Sequence, residues 1–318
     1  VRGSLLSRGL LLRRAGSLGI VLAALVFASF LIVRLIPGDP ARAIAGLDAS
    51  QEDVQRIRVA LGLDKPLLVQ FVSYARRALR LDFGHSFVTN EPVTKLISDR
   101  LPKTVQLAAA ALLLVMLLSV PLGMAAGAFT TEGRHRRAEV VFAAATSVGG
   151  ALPEFLASTF LAFLFAVWLR WLPVAGSDER AAIVLPAVAI SLRPIAVLAR
   201  IVRVETLNVL AQDYIRTARS KRLPDRLLYL RHALPNVLTA ALTIGGLLFT
   251  GLLGGAVIVE NVFAWPGLGT AVVDAVLSRD YPVIQGVILM LGAAVVFVNT
   301  LVDVLLGLVD PRSVIRSA

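Results

Sequence analysis

Hydrophobic residues in this chain come in long blocks rather than in the short periodic stripes of a soluble core. Six blocks stand out: Ala15–Ile36, Thr104–Phe129, Glu139–Leu172, Val184–Thr206, Pro235–Val259 and Val283–Val309. A bilayer core about 30 Å thick takes roughly 20 apolar residues per helix, and each block reaches that length. The pattern predicts an all-α, polytopic membrane bundle with six transmembrane helices. Pro153 falls inside the third block, which is longer than one crossing needs. A kink or break is expected there, because proline removes a helix hydrogen bond. The first block is too long for a signal-peptide core and no small-residue cleavage site follows it. It reads as an uncleaved first helix.

Polar positions fill the gaps unevenly. The segment Gly38–Lys103 is long and mixed in charge. Ser50 is placed to cap a helix whose Val54, Ile57 and Leu61 share one face, with Gly62 to end it. Pro66 opens a second helix, with Phe71, Val72, Ala75 and Leu79 on its apolar side. Both are expected on or above the membrane surface, as a packing cap in preference to a substrate-binding element. The stretch Glu205–Asn236 is polar and too long for a simple turn, and Leu223-Pro224 is expected to divide it into two short helices. Leu227, Leu228, Leu230, Ala233 and Leu234 offer the second an apolar side; Arg216, Arg219, Lys221 and Arg226 offer a charged one. Two readings fit such an element: a knob for a partner's groove, or an interfacial helix resting on anionic lipid.

Composition agrees with the blocks: 57% of residues are hydrophobic and 17% charged, with a mean hydropathy of +0.79. The net charge of +11 would suit nucleic-acid binding in a soluble chain. Here the basic residues sit between spans, where topology accounts for them. Arg2, Arg8, Arg13 and Arg14 precede the first span, and Arg134, Arg136 and Arg137 flank Gly133. Arg216, Arg219, Lys221, Arg222, Arg226 and Arg231 follow the fourth span, and Arg312 and Arg316 end the chain. With six spans all four groups fall on one side, which the positive-inside rule makes the cytoplasm. The loops near Asp178 and Asp280 are close to neutral. Both termini are expected inside.

Several chemistries are excluded. The absence of cysteine removes disulfides, thiolate metal sites and a cysteine nucleophile. None of Lys65, Lys95, Lys103 and Lys221 follows a glycine, so a phosphate-cradling P-loop cannot form. His85, His135 and His232 lie on different sides of the expected membrane and cannot share a metal ion. Ionisable residues within spans are functional candidates by default. Glu154, beside Pro153, and Arg193, before Pro194, are therefore candidate pore-lining residues, with a structural ion pair as the other reading. Arg200, Arg203 and Asp303 are expected to be interfacial, snorkelling or paired. Gly251 and Gly255 have the G-x-x-x-G spacing of close helix contacts.

The Glu205–Asn236 stretch resembles the coupling loop of bacterial ABC importer permeases, with the signature E-A-A, three residues, G, nine residues, I, one residue, L-P. Arg216-Thr217-Ala218 falls on E-A-A, Arg222 on the glycine, His232 on the isoleucine and Leu234-Pro235 on L-P. Asp213 to Arg219 is similar to the dipeptide and oligopeptide form. So are Ile36-Pro37-Gly38-Asp39-Pro40, Leu61 to Pro66, Asp82-Phe83-Gly84, Phe263 to Gly269, Asp280-Tyr281-Pro282-Val283 and Asn299 to Arg312. The resemblance covers nearly the whole chain. Arg222 departs from the family's glycine and Pro224 is unusual, so the bend is expected to shift toward the proline.

The resemblance implies the type I ABC importer permease fold and a non-catalytic pore subunit in the bacterial plasma membrane. It implies residues 1–37 as tail and first helix, 38–103 as an external helical segment, 104–309 as the permease core with its coupling loop at 206–235, and 310–318 as a cytoplasmic tail. It also implies a second homologous permease, two ATPase subunits holding ATP and Mg, and an external binding protein delivering peptides. No cofactor is expected on this chain and no nucleic acid as partner. The coupling residues would be Asp213, Arg216, Thr217, Ala218, Arg219, Arg222, Arg226, Leu234 and Pro235. Nickel chelates, opines or oligosaccharides are the alternative cargo; a membrane enzyme or receptor is the reading from another class.

Overall fold

The computed structural model describes residues 8–35, 39–45, 50–60, 62–131, 135–177 and 179–309. Pro37, Gly38, Leu61, Gly133, Arg134, Asp178, Arg312 and Arg316, with the side chains of Arg13, Arg14, Ile57 and Asp303, lie outside the described residues. The described residues form helices in the order α1 (Arg8–Leu35), α2 (Pro40–Ala45), α3 (Gln51–Ala60), α4 (Leu67–Leu79), α5 (Val93–Phe129), α6 (Arg136–Ala151), α7 (Glu154–Trp168), α8 (Val184–Leu210), α9 (Asp213–Ser220), α10 (Asp225–Val262), α11 (Leu268–Ser278) and α12 (Tyr281–Val309). Only an isolated bridge between His85 and Pro92 is of β type among them.

Among the described residues, four helices are long and apolar enough to cross a membrane, or five if a sharply bent pair counts as one span. That pair is α6 and α7, which meet at 95°. Leu152 is extended, as the residue before a proline prefers, and Pro153 cannot continue the hydrogen-bond ladder. The expected third span is thus two helices, and Glu154 opens the second one instead of lying mid-span. α1 carries an apolar stretch at Leu18–Ile32. The helix expected from Thr104 starts at Val93, and the one expected from Pro235 starts at Asp225. α11 was not foreseen, although Leu268, Ala271 and Ala275 are spaced for one helical face and are buried.

The chain divides into two compact units. Unit 1 holds 1–104 and 266–297. There α4 packs on α1 through Phe27, Phe30, Phe71 and Tyr74, whose rings lie 5.4 to 5.9 Å apart. Ser29 donates to the Val26 carbonyl, so the Tyr74 hydroxyl donates to Ser29 across 2.8 Å. The buried face of α4 is Tyr74 and Ala78; Val72 and Leu79, read as part of its apolar side, are exposed. The apolar arc of the helix is wider than its buried face, and Gln70, Arg76 and Arg77 occupy the opposite side. Ser50 caps α3 as expected, accepting from the Asp53 N–H at 3.2 Å. Buried Asp280 accepts from the Ser86 hydroxyl and from the Phe87 N–H at 3.1 Å. The motif beginning at Asp280 therefore anchors the loop before α5.

Unit 2 holds 105–265 and 298–318. One of its close contacts is the crossing of α5 and α8. A Cβ at Gly123 would lie 2.5 Å from the Ala199 carbonyl oxygen, and one at Gly127 2.8 Å from Thr206 Cβ. Ser119, four residues before Gly123, donates to the Ile195 carbonyl at 3.2 Å. Small residues at 119, 123 and 127 make one stripe. By contrast Gly251 and Gly254 have nothing within 4 Å, and Gly255 faces the Glu154 carboxylate. The G-x-x-x-G at 251–255 is therefore not one helix contact among the described residues.

Gly123→Ala should destabilise the purified protein by about 1–3 kcal/mol through overpacking. Gly251→Ala should be neutral or slightly stabilising. Thermal unfolding in detergent checks both; equal midpoints for the two variants would contradict the close crossing.

Candidate functional site

The polar stretch after α8 folds into a helix–elbow–helix platform. α9 buries Ile215 and Ala218. They pack with Leu210, Leu228, Ala233 and Val237 in one apolar cluster, which extends along α8 and α10. The spacing of Ile215 and Ala218 puts both on one face. That leaves Asp213, Arg216, Thr217 and Arg219 exposed.

The elbow is a helix stop made without glycine. Arg222 sits in the left-handed region at φ 52. Its N–H donates to the Arg219 carbonyl at 2.9 Å, and the Leu223 N–H to the Ala218 carbonyl at 3.4 Å. This is the Schellman pattern, in which a left-handed residue just past the helix lets two terminal carbonyls be satisfied. The bend therefore stays at Arg222, where the resemblance places a glycine, and does not shift to Pro224. Pro224 comes next as a helix start, with extended geometry and the Leu228 N–H on its carbonyl at 3.1 Å.

Beyond the elbow there is no separate short helix. The chain runs unbroken from Asp225 to Val262, with wide π turns across Leu228–Ala233. Leu228 and Ala233 are buried, but Leu227 and Leu230 are exposed, so only part of the expected apolar side is covered. Arg226 is exposed in the first turn, and Leu234 and Pro235 continue the same helix past the π turns. Asn236 donates to the Tyr214 hydroxyl at 3.0 Å and to the His232 carbonyl at 3.0 Å, which ties α9 to α10. Desolvation, and then the Glu205 carboxylate, push the Tyr214 phenol above its ordinary value. It therefore remains a neutral partner for the amide. Arg216 and Asp213 pair at 3.6 Å on the surface, a contact of little energetic weight.

The platform is held from behind by Arg203. Its guanidinium reaches Glu139 at 2.7 Å and Thr130 at 3.0 Å, joining the start of α6 and the residue after α5 to α8. The side chain is only 17% exposed. It is a paired residue, one of the outcomes expected for it. The two candidate pore residues are not brought into an ion pair among the described residues. Glu154 is half-buried, with Oε2 against Gly255; Arg193 is exposed on α8, where Pro194 is accommodated without a break. Glu260 was missed: it is wholly buried in α10, and nothing in its apolar surroundings marks it apart from its charge. No group of three potential metal ligands occurs among the described residues.

Two family models match the chain. The binding-protein-dependent transport system inner membrane component covers residues 119–314, and the N-terminal component of the same systems covers residues 8–108. A similar protein is the "Probable peptide ABC transporter permease protein y4tP" of Sinorhizobium fredii, 41% identical over 95% of this chain and 98% of that one. Another is the glutathione transport system permease protein GsiC of Shigella flexneri, 40% identical over 89% of this chain and 91% of that one. A solved amino acid ABC transporter aligns with a TM-score of 0.46 at 18% identity, covering 69% of this chain and 94% of that one.

Arg222→Gly should stabilise the elbow by up to about 1 kcal/mol, because the left-handed backbone no longer carries a Cβ. Slower amide exchange at Arg222 and Leu223 is the readout; faster exchange would contradict the assigned geometry.

Proposed function

The chain belongs to the binding-protein-dependent transport system inner membrane components, and on that premise we propose that it is one of two pore subunits of an ATP-driven importer of di- and oligopeptides. It is a multi-pass membrane component. The observation that carries the reading is the exposed platform of α9 and the elbow. It displays Asp213, Arg216, Thr217, Arg219, Arg222 and Arg226 over a buried base of Ala218, Leu228 and Ala233. It lies inside the family-matched region, and its residues fit no chemistry of their own.

In this reading the platform docks into a groove of one of two separate ATPase subunits, which hold ATP and Mg. Apolar Leu227 and Leu230 enter the groove, and the arginines set the orientation. Leu234 and Pro235 carry the displacement into α10. A second homologous permease completes the path, and an external binding protein delivers the peptide. Both termini face the cytoplasm, and residues 38–103 form the external cap over a core of 104–309, with 206–235 as the coupling loop and 310–318 as tail. Glu154 and Arg193 line the path, where a carboxylate and a guanidinium suit the two ends of a zwitterionic peptide. Glu154 is supported in this role by its place at the α6–α7 break, where its carboxylate lies against Gly255 and has no cation partner among the described residues. The cargo assignment draws support from the peptide and glutathione names of the relatives.

ATP hydrolysis by the reconstituted complex, with its binding protein, should rise on adding the peptide that the binding protein carries. Stimulation by another solute class and none by peptides would overturn the cargo. Arg219→Glu combined with Arg226→Glu should leave assembly in detergent intact and abolish peptide uptake while hydrolysis persists. Normal uptake by that double variant would remove the docking role.

A further inference from the structure

Unit 1 contains a cavity of about 770 Å3 that the transport reading does not use. Its size suits a small molecule or a headgroup. Phe30 and Arg34 of α1 line it, and the apolar stretch of α1 ends between them at Ile32. The cavity therefore opens at the depth where a membrane helix leaves hydrocarbon for the headgroup layer.

Its charges are unevenly spent. Arg34, Arg58, Lys65 and Arg77 line it against Asp39 and Asp82. Arg58 is paired with Asp39. Asp82 accepts the Gly84 N–H at 3.0 Å and stabilises its own turn. Arg34 lies 4.3 Å over the Phe30 ring and donates to Gln70. Gln70 in turn donates to the Lys65 carbonyl at 2.7 Å, fixing the loop that carries Lys65. Lys65 and Arg77 have no carboxylate partner among the described residues, and both are exposed toward the space.

The remaining wall is mixed: aromatic and polar side chains such as Phe87, His85 and Gln285 line part of it, and Val59, Leu63 and Val69 give it one aliphatic edge. Val59 and Val69 line the cavity and are 54% and 48% exposed, and Leu67 and Leu68 beside Val69 are more exposed still. Two unspent cations over an open aliphatic shelf, at headgroup depth, match one kind of molecule: a phosphodiester with acyl chains attached. We propose that this cavity binds an anionic phospholipid. Lys65 and Arg77 hold its phosphate, and Val69 with the exposed flank of α4 receives its chains. A soluble phosphoester would satisfy the cations but leave the aliphatic shelf uncovered.

The test is native mass spectrometry of the full chain, delipidated in detergent and offered equal phosphatidylglycerol and phosphatidylcholine. The wild type should retain phosphatidylglycerol in preference. Lys65→Gln with Arg77→Gln should lose that preference roughly tenfold. Arg76→Gln, which removes a neighbouring charge of α4 outside the cavity, should keep it. Val69→Trp, which leaves every charge in place and fills the shelf, should lower retention of phosphatidylglycerol as well. Unchanged preference in the double variant overturns the proposal. So does displacement of the lipid by millimolar inorganic phosphate or glycerol 3-phosphate, which would assign the cavity to a soluble phosphoester. If Lys65→Gln with Arg77→Gln lost stimulation by the binding protein while lipid retention stayed as in the wild type, the surface would instead be a protein-docking site.

Discussion

The close crossing of α5 and α8 is the contact on which the rest of unit 2 depends. Lipid tails are as apolar as leucine, so helices in a bilayer gain little from hiding hydrophobic surface from each other. What holds them is dispersion at short range and hydrogen bonds across the gap. Ser119, Gly123 and Gly127 bring the α5 backbone against Ala199, Val202 and Thr206. With α8 fixed there, Arg203 reaches Thr130 and Glu139, and the end of α8 at Leu210 is delivered at a set angle to α9. A bulkier stripe on α5 would displace α8, and the Arg203 contacts and the buried base of α9 would go with it.

The all-α membrane architecture was legible because hydropathy over twenty residues is a coarse and robust signal. The α3 cap at Ser50 and the break at Pro153 were legible for local reasons, since each depends on one residue's own chemistry. Other features were not local. The small-residue stripe of α5 has the same spacing as Gly251 and Gly255 of α10, yet among the described residues only the first is a crossing. Spacing shows that two helices could approach, and the partner decides whether they do. On α4 the apolar arc is wider than the face it buries, opposite Gln70, Arg76 and Arg77, so periodicity could not choose between Tyr74 and Val72. In the platform, Arg216, Arg219 and Arg226 stood out by charge, but the fusion of their second helix into α10 did not. Pro224 can start a helix as well as end one, and the residues on its C-terminal side decide which.

Helix ends illustrate the same limit. α3, α4, α9, α10 and α11 close with the same pair of backbone hydrogen bonds around a left-handed residue, but only α3 uses a glycine, Gly62. The others use Leu81, Arg222, Ala264 and Arg279. Each stores a modest backbone cost of about 1 kcal/mol that neighbouring packing must offset. At Arg222 the offset is visible, since Leu223 just beyond it packs on the apolar cluster under α9. A rule that looks for glycine finds one of these five stops.

The unbroken course of α10 has a mechanical meaning. Its 38 residues, at 1.5 Å each, make a rod about 57 Å long. A rod of that length works as a lever: tilting its foot by about 5° sweeps its far end through about 5 Å. Stiffness along it is uneven, because the π turns at Leu228–Ala233 interrupt the regular ladder close to the foot. The lever thus has its compliant point one turn above the elbow, leaving the long arm from Leu234 onward to move as a single piece.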